Sequence, residues 1–167
     1  ISNINKVLKN KIFSDGFFQK KTEILIKKKI KSKFIALTQS CTDALEMASS
    51  LINLKHGDEV IMPSYTFTST ANSVVLRGAK PVFIDVNSND LQIDQDQIER
   101  LITKRTKAIS VVHLGGWPAN MLEIKNLADK YNLKLVEDCS QAHGAKINGL
   151  NVGGFGDIGT WSFCQDK

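Results

Sequence analysis

The residues able to do chemistry gather in the last third of the chain. Leu135-Val136 is an apolar run that ends on Glu137 and Asp138, with Gln141 three residues further on. Gly159-Thr160-Trp161-Ser162-Phe163 reads as a second short strand that delivers a hydroxyl at Ser162 and leads to an amine at Lys167. One carboxylate, one amide, one hydroxyl and one amine at successive strand ends suit a pyridine aldehyde phosphate. Position alone leaves two alternatives open: Lys167 as a solvated lysine, and Asp138 as the cap of a following helix.

These groups need a scaffold, and the upstream sequence predicts one. Apolar runs at Phe34–Leu37, Glu59–Met62 (stopped by Pro63), Lys80–Val86, Ala108–Val112 and Leu133–Val136 read as buried strands. Helical patterns fall at Asn3–Asn10, Phe18–Lys31, Ala44–Ala48, Ala71–Leu76, Asp94–Ile102 and Met121–Tyr131, with Phe13–Gly16 as a break. Strands alternating with helices predict an α/β fold: a three-layer α/β/α sandwich around a mostly parallel sheet. Ligands in such sheets bind beyond the carboxyl ends of the strands. Ser40, Thr42, Phe67, His113, Asp138 and Gln141 are all expected there. Ser40 and Thr42 begin a helix, and its first N–H groups suit a phosphate. His113 either lines the site or serves the structure. Trp117 either meets substrate or packs under its loop, and His143 reads as structural.

Composition narrows the function classes. The chain has 167 residues, 42% of them hydrophobic, enough for one core or part of a larger one. Its net charge of +5 includes the run Lys27-Lys28-Lys29-Ile30-Lys31-Ser32-Lys33. With Ile24, Leu25, Ile26 and Ile30 supplying an apolar side and no interleaved aromatics, that run reads as a solvated helix face, so no nucleic-acid partner is expected. Three scattered cysteines give neither a disulfide framework nor a metal site, and Cys139 and Cys164 are expected as small buried residues at strand ends. No signal peptide or membrane-length apolar run is seen, so a cytoplasmic protein with no membrane partner is expected. Gly153-Gly154-Phe155-Gly156 lacks the GxGxxG spacing and reads as the connection that carries Ser162 and Lys167 into the site. A first residue of Ile1 and a reactive residue at the last position lead us to expect a fragment of a longer protein.

Four ordered motifs carry a resemblance: Gly57–Phe67 (GDEVIMPSYTF), Gly78–Asp85 (GAKPVFID), Glu137–Ala145 (EDCSQAHGA) and Ser162–Lys167 (SFCQDK). Together they resemble the DegT/DnrJ/EryC1/StrS family of pyridoxal-phosphate-dependent sugar aminotransferases, of the aspartate aminotransferase fold (fold type I). The resemblance implies that residues 1–167 are the N-terminal part of the large cofactor-binding domain, with the remainder and the small domain outside this chain. It implies Lys167 as the residue joined to the cofactor aldehyde and later the base that moves a proton. It implies Asp138 against the pyridine nitrogen, Gln141 on the phenolic oxygen and Phe67 stacked on the ring. Ser162, Thr42 and the backbone amides of Cys41 and Thr42 would hold the phosphate, many family members having Gly where Cys41 stands. The implied reaction moves an amino group, typically from L-glutamate, to a nucleotide-linked keto-deoxysugar such as a dTDP-4-keto-6-deoxyhexose. Such products feed surface polysaccharides or glycosylated natural products. The implied assembly is a homodimer whose partner completes each site. Two rivals are a sugar dehydratase of the same fold, in which a His replaces the lysine, and a non-catalytic binding module.

Overall fold

The computed structural model describes residues 1–14, 16–165 and 167; Asp15 in the expected helix break and Asp166 in the last motif lie outside the described residues. The chain divides into two compact units, Ile1–Leu37 and Thr38–Lys167.

The first unit contains α1 (Ser2–Asn10) and α2 (Phe17–Ile30). Each ends on a lysine in the left-handed conformation, Lys11 (φ 53°) and Lys31 (φ 57°). The expected strand at Phe34–Leu37 does not form. Ser32 explains why: its hydroxyl donates to the Phe34 carbonyl at 2.7 Å and accepts from the Phe34 N–H at 3.3 Å. A side chain that takes up local backbone groups competes with a sheet ladder for them.

The second unit is built on a five-stranded, all-parallel sheet in the order β2-β1-β3-β4-β7. Its strands are β1 (Glu59–Pro63), β2 (Lys80–Ile84), β3 (Thr106–Val112), β4 (Lys134–Asp138) and β7 (Ile158–Thr160), while β5 (Lys146–Ile147) and β6 (Leu150–Asn151) form a separate hairpin. The helices are α3 (Cys41–Leu51), α4 (Thr68–Val75), α5 (Ile98–Leu101) and α6 (Met121–Lys130).

Alternation along the strands sorts the core into two layers. Val60, Met62, Ala108 and Val136 face one way, packing with Ala48 and Ile52 of α3 and its end and Val74 of α4. Ile61, Ile109, Val111 and Leu135 face the other way, against Ile98 of α5 and Met121, Ile124 and Ala128 of α6. The expected three-layer α/β/α sandwich is therefore present. Every residue of β1 is buried, as a central parallel strand requires.

Three element boundaries differ from expectation. The helix expected at Asp94–Ile102 is a 3-10 turn, Gln95–Gln97, followed by the single turn of α5. Helix α4 begins at Thr68 rather than Ala71, because Phe67 takes the extended cap conformation. The strand expected to carry Ser162 pairs with β4 only through Thr160, and Cys164 is exposed rather than buried.

Candidate active site

Asp138 is the last residue of β4, lying between β3 and β7, and is 3% exposed. Its Oδ1 accepts from the Ser140 N–H at 3.1 Å and its Oδ2 from the Thr70 hydroxyl at 3.0 Å. The segment after it forms turns rather than a helix, so the carboxylate closes a turn and caps nothing. Thr70 reaches it from the first turn of α4 and is itself 2.9 Å from the Thr66 hydroxyl.

That first turn of α4 collects several groups. Phe67 is its cap residue and is 74% exposed. Ser69 hydrogen-bonds Thr42 at 2.8 Å, tying α4 to the N-terminus of α3. There the Ser40 hydroxyl accepts from the Asp43 N–H at 3.1 Å. The first N–H groups of a helix have no partner within it, and the helix dipole adds positive potential at the same place. The strand that the sequence predicted before this helix does not form; the Thr42 hydroxyl bond to Ser69 ties the helix start to α4 instead.

Cys41 sits at this helix start. Burial pushes its thiol up to about 11, the Asp138 carboxylate adds to the rise, and hydrogen bonding to Thr160 and the charge of Lys167 pull the other way. One thiol thus senses the carboxylate at the end of β4 and the amine of Lys167.

The loops after β3 and β4 clasp each other. Gly115 donates its N–H to Gln141 Oε1 at 2.6 Å. Gly116 has φ +81°, and a Cβ there would come 2.8 Å from the Gln141 carbonyl, so the approach requires glycine. With Oε1 occupied, what Gln141 retains for a ligand is its amide hydrogens. Trp117, next in this loop, is 67% exposed. Ser162 is nearly buried; its Oγ accepts from the Cys164 N–H at 3.3 Å and its carbonyl accepts from His143 Nε2 at 2.5 Å. His143 also lies 4.9 Å from the Phe163 ring. It pins the segment that leads from β7 to Lys167.

His113 is the residue whose placement departs most from a site-lining role, with no exposed surface. The Ala119 N–H donates to its Nδ1 at 3.1 Å, so the ring hydrogen is on Nε2 and is donated to Glu137 Oε2 at 3.1 Å. Glu137 further accepts from the N–H groups of Gly153 (2.7 Å), Phe155 (2.8 Å) and Gly156 (2.7 Å). His113, Glu137 and Cys139 place ligand-type atoms within 4.8 Å of one another. Those of His113 and Glu137 are already engaged in hydrogen bonds, so the group is an anchor for the glycine-rich connection rather than a metal cage.

Sequence reasoning passed over Thr70, Ser69, Gly115 and Glu137. The density of hydroxyls in Ser64–Thr70, six in seven positions, was the available signal for the first two. Nothing in the one-dimensional order pairs Glu137 with the Gly153–Gly156 backbone.

A buried carboxylate, an amide with spare hydrogens, hydroxyls at a helix N-terminus, an exposed aromatic and a lysine amine fit pyridoxal phosphate. The parallel sheet with these groups at its carboxyl edge defines a fold-type-I enzyme of the pyridoxal-phosphate class. The chain belongs to the DegT/DnrJ/EryC1/StrS aminotransferase family, whose profile matches residues 1–167. Members of this family are pyridoxal-phosphate-dependent sugar aminotransferases. The chain is 51% identical over 128 residues to the UDP-N-acetyl-3-dehydro-alpha-D-glucosamine 3-aminotransferase of Acidithiobacillus ferrooxidans, covering 77% of this chain and 35% of that protein. A crystal structure of an aminotransferase from Psychrobacter cryohalolentis superposes with TM-score 0.94 at 41% identity, covering 98% of this chain and 42% of that one. The GDP-4-keto-6-deoxy-D-mannose-3-dehydratase of E. coli, solved with bound hydrated pyridoxal phosphate, gives TM-score 0.88 at 33% identity, over 95% of this chain and 42% of that one. The chain thus spans well under half the length of each. Among the described residues, no helix is long and apolar enough to cross a membrane.

Proposed function

We propose that the protein containing this chain is a transaminase that moves an amino group from an amino acid, L-glutamate in our reading, to a keto group on a nucleotide-linked deoxysugar. The observation that supports this is the buried Asp138 carboxylate at the carboxyl end of β4, joined through Thr70 to the first turn of α4, which Ser69 ties to the start of α3. In this reading the chain is the N-terminal part of the large domain, and the working enzyme is a cytoplasmic homodimer serving polysaccharide or natural-product glycosylation. The Ser40-Cys41-Thr42 variant resembles the branch of the family that acts on dTDP-4-keto-6-deoxyhexoses, which makes such a sugar the substrate favoured in this reading. The dehydratase rival fits poorly, since its resemblance implies a histidine where Lys167 stands.

Each side chain has a definite task. Asp138, clamped at both oxygens, accepts the hydrogen on the pyridine nitrogen and keeps that ring cationic. Gln141 donates its amide hydrogens to the phenolic oxygen. Thr42, Ser162 and the Cys41 and Thr42 N–H groups hold the phosphate at the start of α3, where the dipole favours an anion. Phe67 covers a ring face, and Trp117 offers the substrate an exposed indole. Bound pyridoxal phosphate supplies an electron sink for charge developing at the amine-bearing carbon. Lys167 holds the cofactor between turnovers and then moves the proton at that carbon.

Reduction with borohydride after addition of pyridoxal phosphate tests the assignment. The full-length protein is expected to retain a reduced adduct on Lys167, located by mass spectrometry, and the Lys167→Ala protein none. A full-length protein that gives no adduct would end the transaminase reading. Product masses from glutamate with a panel of nucleotide ketosugars then identify the sugar.

A further inference from the structure

Thr70 stands out among the buried hydroxyls because of where its hydrogen goes. Buried Ser and Thr in helices commonly satisfy themselves on a nearby backbone carbonyl. Buried Ser73 does so here, donating to the Thr70 carbonyl at 2.9 Å, as does the exposed Thr22, to the Phe18 carbonyl at 2.8 Å. Thr70 instead donates to a carboxylate 68 positions away, Asp138 Oδ2 at 3.0 Å. Both residues are almost fully buried, at 1% and 3% exposure.

A carboxylate held at one oxygen still turns about its last torsion, which has a broad, two-fold profile. Ser140 alone would leave Asp138 in that state; Thr70 supplies the second point. A hydroxyl has a single hydrogen, so Thr70, having given its own to Asp138, must accept from Thr66 at 2.9 Å. That chain, Thr66 to Thr70 to Asp138, has one direction. The Thr70 backbone is fixed in turn by its N–H on the Phe67 carbonyl at 3.1 Å.

We propose that Thr70 is a positioning residue, aiming the Asp138 carboxylate at the pyridine nitrogen, with Thr66 orienting the Thr70 hydroxyl. The proposal rests on the pyridoxal-phosphate reading above. It implies that the ring nitrogen keeps its proton to higher pH with the threonine in place than without it.

The test uses the full-length holoenzyme and compares Thr70→Val, Thr70→Ser and the parent. Valine keeps the shape and removes the hydrogen; serine keeps the hydrogen. Thr70→Val is expected to lower kcat about 10- to 100-fold, with KM for the nucleotide sugar within about 2-fold. The nitrogen-15 signal of ring-labelled pyridoxal phosphate should report deprotonation at lower pH. Thr70→Ser should restore both readouts. A Thr70→Val enzyme with parental kcat and an unmoved nitrogen signal, altered only in melting temperature, would overturn the proposal. If Thr70→Val does not fold, Thr66→Val at its half-buried position carries the test: its nitrogen signal must move the same way, and an unmoved one overturns the idea. A parent protein without the Lys167 adduct removes the underlying reading instead. A parent with the adduct beside an unaffected variant removes this proposal alone.

Discussion

Cys41 shows how one side chain registers the charges around it. A thiol held near 11 by burial and by Asp138 stays protonated at neutral pH, and the thiolate is the nucleophile. Cys139 is fully buried, its thiol pushed up by burial and by Glu137 and Asp138. Cys164 is exposed. Native protein treated with iodoacetamide at pH 8 should therefore be labelled at Cys164 first, with Cys41 and Cys139 modified only on denaturation; mass spectrometry of timed samples gives the order. Both shifted thiols are raised, so folding favours the protonated form. Their contribution is complete below the ordinary thiol range; that of Cys41 falls as pH rises from about 9 towards 11, and that of Cys139 falls as pH rises above the ordinary range.

The connection between β6 and β7 is where a whole element depends on tight packing. Gly153 has φ +81°, and a Cβ there would lie 2.0 Å from the Trp161 ring; its N–H also donates to Glu137. Gly153→Ala combines left-handed strain with overpacking and is expected to cost about 3 kcal/mol. The loss should appear in urea unfolding of apoprotein. Since the same connection leads to Ser162 and Lys167, the variant should also hold pyridoxal phosphate more weakly. A Phe155→Ala control, which leaves Trp161 untouched and keeps its N–H on Glu137, should bind with less loss.

At the scale of the molecule, the sheet is closed at its other edge by an ion pair. Glu59 at the start of β1 accepts from Thr103 at 2.6 Å and from Arg105 at 2.7 and 3.1 Å, joining β1 to the entry of β3. The Thr103 hydrogen bond, then Arg105, hold its carboxyl below the usual range. A lowered carboxyl stabilises the fold above its unfolded pKa and loses that contribution as pH falls through its folded value. Glu59→Gln should therefore lower stability by about 1 kcal/mol at pH 7, since Arg105 is largely exposed and its share is screened. The gap from the parent should close as pH falls below the ordinary carboxylate range. Thermal unfolding of both proteins across that pH range checks the sign.

Most of the sheet was legible because central parallel strands are apolar on both faces. The runs at Glu59–Met62, Ala108–Val112 and Leu133–Val136 could be little else. Phe34–Leu37 was misleading, since an apolar run needs a neighbour to be a strand and Ser32 had already engaged the Phe34 backbone. Asp138, Gln141, Ser162 and Lys167 were named from type and spacing, because chemistry restricts which side chains a cofactor accepts. The hydroxyl clamp from Thr70, the clasp of Gly115 on Gln141 and the burial of His113 against Glu137 join positions 24 to 68 residues apart. Residue order determines which groups this chain owns and which strands present them. Side chains meet only when crossovers bring strand ends together, so their partners and aim were decided by the tertiary structure alone.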